Sequence, residues 1–556
     1  MKKTLLTAIA AVAIIAAAYA QAPKSHDAAV SRGLTTFTSL VKQMELNYVD
    51  SIDVEQSFKA AINAFLANTD PYTEYFDSDE QEAIHKMTTG DLGYGGIGSY
   101  LLQRDSSTYI SAPMEGAPAA RAGLKAGDRL LRVDTMDVSQ IGVEGVTKVL
   151  RGEPGTTVSV TVQRPFATDS ILTFSIEREK LAQPSVPYAA VLPDGTGYIQ
   201  LTSFIDKSPD EVEVALRKFK EDPRFRSVVL DLRGNGGGLL ESAVDIVGFF
   251  VPKGTEVLHT KGRDNRSERT YKTTRTPLLP DIPLAVLIDG GSASASEITA
   301  GSLQDLDRAV LVGSRSFGKG LVQSTLQMPY DALLKVTTAK YYIPSGRLIQ
   351  AIDYSHRNPD GSVARVPDSL TNVYKTLHGR EVRDGGGLTP DVEVEWEKLD
   401  RLVFNIVRDN WAFDYATRYA AENQSIPPAE EFEITDEIFA DFKKSIDPER
   451  FKYDKVCEEM MKDLREAADR EGYLNDETRE QLDVLAKLLT HNLDHDLDQK
   501  RQAISTYLGE EIASRYYYDR GKIIQSLRND PGLDKAREIL NSPGEMQRLL
   551  TGKGKK

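Results

Sequence analysis

The sequence predicts a multidomain α/β protein, and three observations carry that reading. Two short apolar runs, SVVLDL (Ser227 to Leu232) and PLAVLID (Pro283 to Asp289), each enter a loop of small residues and continue at helical spacing. A turn-rich stretch of short alternating strands precedes them, and a long, highly charged helical region follows. The chain has 556 residues, more than one hydrophobic core organises.

The elements follow in order. Lys2 and Lys3 precede an apolar run from Leu5 to Ala18, and Ala18-Tyr19-Ala20 has the small-x-small pattern of a cleavage site. Residues 1–20 therefore read as a signal peptide cut after Ala20, too short to span a membrane and with no cysteine for a lipid anchor. Residues 24–84 carry helical patterning with a break at Asp70-Pro71. Residues 85–180 form a compact strand module containing GAPAARAGLKAGDRLLRVD and LRGEPGTTVSVTVQRP. Residues 181–395 hold both strand–loop–helix units, and catalytic groups in such cores favour loops at the carboxyl ends of strands. Residues 396–556 read as charged helices, in which Leu482, Leu485, Leu489 and Leu493 make one packing stripe.

Composition narrows the function. A net charge of −15 opposes general binding to nucleic acid or anionic membrane. The single cysteine, Cys457, excludes an internal disulfide and reads as a buried thiol in a helix. His491 and His495 lie four apart but lack a third local ligand, so they read as a solvated pair rather than a metal site.

Ser294 stands between a strand and a helix, where the first helical N–H groups lack partners and face any developing negative charge. The same Ser294-Ala-Ser-Glu297 is also a capping box, and Ser292 and Ser296 flank it, so local sequence does not choose a nucleophile. Lys319 ends Gly-x-x-x-x-Gly-Lys (Gly313 to Lys319), yet Gly320 replaces the Ser or Thr of a phosphate loop, and LVQSTLQMP reads as strand. Glycines on both sides suggest close packing around the lysine stem, and a desolvated lysine can act as a neutral base. Gln323, four residues on, would share a face with Lys319 and orient its ammonium. Gly234-Asn235-Gly236-Gly237-Gly238 lacks dinucleotide-binding spacing; it is either a backbone donor site or a plain turn.

At these residues the chain resembles the C-terminal processing, or tail-specific, serine peptidases. The likeness runs from Gly90 to Val394 through the module sequence above, then LDLRGNGGG, GGSASASEI, VGSRSFGKGLVQ, AKYYIPSGRLIQ and GGGLTPDVEV. The resemblance implies a crotonase-like ββα peptidase core with an inserted PDZ domain, flanked by the helical N-terminal segment and C-terminal extension. It implies Ser294 as nucleophile, Lys319 as general base and Gln323 as its orienting partner. The oxyanion would rest on the N–H of Ala295 and of Gly237, with Gly236 as the next choice. Asp289 departs from the asparagine expected before Gly290-Gly291 and adds a charge near the site.

The same resemblance implies tail capture by strand addition at Gly95, Gly96, Ile97 and Gly98, with Arg151 coupling PDZ position to the site. The expected enzyme is an exported serine endopeptidase of the periplasm or cell envelope, needing no metal or cofactor. Its expected partners are proteins with exposed C-terminal tails, and an adaptor or a second copy held through the C-terminal helices. The rival is a non-catalytic PDZ scaffold.

Overall fold

The computed structural model describes residues 26–80, 91–264, 268–358, 360, 362–395 and 399–552. The expected signal peptide lies outside the described residues. Contacts divide the chain into two units, Met1–Tyr75 and Phe76–Lys556.

The first unit holds α1 (His26–Asn47) and α2 (Val54–Leu66). The break between them precedes Asp53, whose carboxylate accepts the Gln56 N–H and so caps α2. That cap starts a second helix, a division the sequence reading did not make; α2 then ends at Leu66, and the chain is non-helical through Asp70-Pro71, where the sequence placed a break. Neither helix has a buried residue. Phe37, Leu40, Met44 and Phe58 line an apolar groove of about 200 Å³.

The second unit begins with a strand module. β1 (Asp91–Gly96) pairs with β7 (Glu179–Ala182). β2 (Ser99–Arg104), β3 (Ser107–Pro113), β4 (Arg129–Val133), β5 (Thr157–Gln163) and β6 (Ile171–Glu177) lie side by side in that order, and Met136–Asp137 pairs with β4. Alternate residues of β5, Val158, Val160 and Val162, point into a core shared with Ile110, Leu130 and Ile176. Two helices, α3 (Pro118–Ala122) and α4 (Val143–Leu150), complete the module. β2 ends the strand path, and its Gln103 Oε1 accepts the N–H of Val143 at the start of α4.

A six-stranded sheet follows, in the order β8 (Tyr188–Val191), β9 (Thr196–Gln200), β10 (Ser227–Asp231), β13 (Leu284–Ile288), β14 (Val310–Gly313) and β17 (Val392–Glu393). Only β8 runs antiparallel to its neighbour. Every residue of β10 and β13 is buried, as uninterrupted apolar runs demand when both sheet faces are covered. On one face Val228, Leu230, Val286 and Ile288 pack with α5 (Ser208–Glu221), α6 (Leu240–Val247) and α7 (Ala295–Asp305). Beside this lies an antiparallel array, β15 (Leu321–Gln327), β16 (Leu333–Tyr342), β11 (Glu256–Gly262) and β12 (Arg269–Lys272).

The C-terminal helices do two jobs. One group, α8 (Arg401–Arg408), α9 (Trp411–Glu422), α10 (Asp436–Ser445), α13 (Leu493–Gln499) and α14 (Arg501–Ser526), closes around its own core. The other, α15 (Pro531–Leu540) and α16 (Pro543–Thr551), covers the second face of the six-stranded sheet. There Leu533, Ile539 and Leu540 meet Val229, Leu287 and Val312, at about 1.5–3 kcal/mol per large apolar side chain buried.

Three sequence expectations need correction here. Cys457 is exposed, because it sits on the solvent side of α11 (Val456–Arg470). The leucine stripe is not a packing face. Leu485 in α12 (Asp476–Leu488) is 41 % exposed and Leu489 38 %, while Leu493 opens α13 and packs with the helical core. His491 and His495 share no helix either. His491 precedes the Asn492 cap of α13, half-buried against Tyr453, and only His495 lies within that helix.

Candidate active site

Three neighbouring parallel strands deliver the site from their carboxyl ends. β10 leads into Gly234–Gly238, β13 into Ser294, and β14 into the segment ending at Lys319. Asp289, directly after β13, joins two of these turns: its Oδ1 accepts the N–H groups of Gly234 (2.9 Å), Gly291 (2.9 Å) and Ser292 (3.1 Å). All three bonds need only an acceptor oxygen, which an asparagine would also supply. The departure at Asp289 therefore leaves this local geometry intact.

The three serines are no longer equivalent. Ser292 Oγ donates to the Leu232 carbonyl and Ser296 Oγ to the Asn235 carbonyl, each at 2.8 Å and each buried. Ser294 is half-buried and sits at φ 55°, ψ −114°, a conformation that costs a non-glycine residue about 1–3 kcal/mol. Its neighbours hold it there. The Ser294 N–H donates to Glu297 Oε2 at 2.9 Å, its carbonyl accepts the Ile298 N–H at 2.8 Å, and Tyr341 Oη donates to the same carbonyl at 3.3 Å.

Glu297 reaches further than a capping residue. Oε2 also accepts the Lys319 N–H at 2.8 Å, while Oε1 accepts the Gly318 N–H at 2.8 Å and the Ser316 hydroxyl at 2.5 Å. The side chain is wholly buried, and burial pushes its carboxyl up to about 7 despite those four donors. Tyr341 ties the same two segments again, since its hydroxyl also meets the Lys319 carbonyl at 2.7 Å. Burial raises that phenol well above its usual range.

The glycines beside Lys319 are sterically required. Gly318 has φ +90°, and a Cβ there would stand 2.3 Å from Ala351 Cβ; at Gly320 it would stand 2.9 Å from the Gln350 nitrogen. Lys319 is half-buried and is followed by β15 rather than a helix, so the phosphate-loop reading fails on structure as well. Gln323 lies in β15 just after a register shift at Val322, and Lys319 lies before the strand, so simple alternation does not relate them. The Gln323 Nε2 donates to Thr337 Oγ1 at 3.0 Å.

Gly237 lies against the serine. A Cβ on it would stand 2.8 Å from Ser294 Cβ and 2.9 Å from the Ala295 nitrogen, so glycine keeps that space open. Its N–H donates to Asn235 Oδ1 at 2.9 Å. Asn235 is fully buried and also holds Leu201 through its Nδ2 and Ala293 through its carbonyl. Ser294, Ala295, Gly237 and Lys319 are thus gathered in one place. Gly95, Gly96, Ile97, Gly98 and Arg151 lie in the strand module instead. There Gly95 exchanges two backbone bonds with Gly152, and Arg151 ends α4 on the surface.

Sequence reasoning gave no site role to Glu297, Tyr341 or Asn235. A usable signal existed for Glu297: it closes the Ser294-Ala-Ser-Glu297 capping box, which puts its carboxylate beside the Ser294 backbone.

A serine held at positive φ where a helix begins is how many hydrolases present a nucleophile, and the class defined here is a serine hydrolase joined to a peptide-binding module. Family comparison agrees. Residues 195–356 match Peptidase family S41, residues 109–164 a PDZ domain, and residues 402–540 the C-terminal helical domain described as "Probable PDZ-protease". A carboxy-terminal-processing protease of Bartonella bacilliformis is 32 % identical over 63 % of this chain and 80 % of its own length. A CtpA-like serine protease of Staphylococcus haemolyticus is 32 % identical over 67 % of this chain and 73 % of its own. Among solved structures, a photosystem II D1 C-terminal processing protease aligns with 65 % of this chain and 88 % of its own at 25 % identity, with a TM-score of 0.35. The chain belongs to the carboxy-terminal-processing serine endopeptidases of family S41.

Proposed function

We propose that Ser294 is the nucleophile, Lys319 its general base and Gln323 the partner that orients the lysine, within a crotonase-like core. The tie of Ser294 and Lys319 to one buried carboxylate oxygen carries this reading, because it fixes the two segments against each other. Neutral Lys319 takes the Ser294 proton as Oγ attacks a peptide carbonyl. The oxyanion rests on the N–H of Ala295 and, once Asn235 releases it, of Gly237. Lys319 then protonates the leaving amine, and water repeats the sequence on the acyl-enzyme. A Gln323 carboxamide held through its nitrogen by Thr337 offers its oxygen to the ammonium.

Substrates are exported proteins, and their C-terminal tails add to β2, the end strand beside α4, with Gly95 to Gly98 at the carboxylate end. Cleavage of the leader read at residues 1–20 would release the enzyme into the periplasm or envelope, and among the described residues no helix is long and apolar enough to cross a membrane. Exposed Met460, Leu464, Leu485 and Leu488 on α11 and α12 suit an adaptor or a second copy. The test is digestion of an unfolded protein with an apolar C-terminus by the mature chain, Ser294→Ala and Lys319→Ala. Loss of cleavage in both variants supports the dyad; full activity in both points to another nucleophile, and no cleavage by the parent chain leaves the scaffold.

A further inference from the structure

We propose that Asp530, far along the C-terminal region, is a positioning residue for the oxyanion turn. The proposal rests on Ser294 chemistry as described above. Arg233 is the last residue before Gly234–Gly238. Its guanidinium is gripped from two sides: Nε and Nη2 meet Asp231, while Nη1 and Nη2 meet Asp530 Oδ1 (3.0 Å) and Oδ2 (2.6 Å). The Asp530 contact is a two-pronged pair between groups 297 residues apart in sequence. Asp530 is 7 % exposed and Asp231 4 %.

Asp530 is itself fixed in place. Its Oδ1 accepts the Leu533 N–H at 2.9 Å and caps α15, the helix whose Leu533, Ile539 and Leu540 seal the sheet bearing β10 and β13. The pair therefore transmits the position of α15 to the first step of the turn. From there the chain of contacts is short. The Arg233 N–H donates to Asp231, the next N–H, of Gly234, donates to Asp289, and Asn235 carries Gly237 and the Ala293 and Ser296 contacts beside the nucleophile. Asp231 grips the guanidinium along its Nε–Nη2 edge and Asp530 along its Nη1–Nη2 edge, so the two carboxylates fix its orientation from different sides. Displacing such a turn by a fraction of an ångström misaims oxyanion donors without touching the tail-binding module.

Asp530→Asn separates the two roles, since asparagine caps a helix as well as aspartate but cannot replace the charged fork. On a tailed protein substrate, kcat of the full-length mature variant falls about 10- to 100-fold while KM stays within about 2-fold. Labelling of Ser294 by a fluorophosphonate, which needs no tail capture, slows in parallel, at a temperature where the lowered unfolding midpoint still leaves the variant folded. Asp530→Ala loses the cap as well and lowers the midpoint further. Unchanged kcat and labelling in Asp530→Asn overturn the proposal, as does a loss that merely follows the folded fraction. If Ser294→Ala keeps cleaving, the underlying dyad is at fault instead.

Discussion

The backbone N–H groups of Ser294 and Lys319 donate to the same oxygen, Glu297 Oε2, at 2.9 and 2.8 Å. One atom thus sets the spacing of two segments that leave different strands. Replacing Glu297 with glutamine puts an NH₂ among four converging donors, leaving one pair of them without an acceptor. Glu297→Gln is expected to lose activity by about 100-fold and stability by about 1–3 kcal/mol, read as kcat and as denaturant unfolding. Activity within about 2-fold of the parent would show that the tie is dispensable.

The same carboxylate sets a pH dependence. Burial raises Glu297 to about 7, above its ordinary value of 4.5. Between those values the folded chain binds more protons than the unfolded chain, so stability contributed by this group is present below pH 4.5 and lost as pH rises through 7. The drop is about 3 kcal/mol across that window. Activity runs the other way, because a protonated Glu297 presents an O–H where an N–H must dock. Unfolding titrations of parent and Glu297→Gln, compared from pH 4.5 to 8, check this: the parent's extra slope should vanish in the variant.

The flanking serines should behave as structure, not chemistry. Ser292→Ala and Ser296→Ala each remove a buried hydroxyl bonded to a carbonyl, Leu232 and Asn235 respectively. Each is expected to cost about 1 kcal/mol of stability, and each protein should still be labelled by a fluorophosphonate. Only Ser294→Ala should abolish labelling. A modified peptide carrying the reagent on Ser292 or Ser296 would contradict the assignment.

The strands that deliver the site were legible because parallel strands covered on both faces are unbroken apolar runs, as Ser227–Asp231 and Leu284–Ile288 are. The need for glycine beside Lys319 was legible too, since no other residue type implies so close an approach. Partners distant in sequence were not. Nothing local announces that Glu297 will meet Ser316, Gly318 and Lys319, or that Arg233 will meet Asp530. The exposed leucines of α12 show the converse: helical periodicity marks an apolar face but not whether anything covers it.

Gly318 is expected to be intolerant of a single methyl. At φ +90° an alanine is strained, and its Cβ would stand 2.3 Å from Ala351 Cβ and 3.1 Å from the Ala351 nitrogen, so backbone must move. That movement carries Lys319 with it. Gly318→Ala should lower stability by about 2 kcal/mol or more and kcat by over about 10-fold, whereas Gly379→Ala, with nothing within 4 Å, should cost strain alone. Thermal unfolding and turnover of the two variants side by side test the difference.

Arg104 fastens the PDZ module to the C-terminal helices, which predicts what releases it. Its guanidinium, at the end of β2, pairs with Asp414 at 2.7 Å and lies 5.2 Å from the centre of the Phe413 ring. Arg515 stacks on the same ring at 4.4 Å, so two cations share one aromatic while Asp414 and Glu511 balance them. Nearby, Gly127 packs so tightly on Thr417 that a Cβ would come within 2.5 Å. A partly exposed ion pair and a cation–π contact together are worth about 1–2 kcal/mol, enough to shift a docked module without unfolding it. Arg104→Ala should therefore speed amide hydrogen exchange in β2 and β3 by about 5- to 30-fold and leave β10 and β13 unchanged. The module would then tether a tail without a fixed position relative to Ser294, so kcat for tailed substrates should fall more than KM rises. Unaltered exchange in β2 would mean that the packing at Gly127 alone holds the module down.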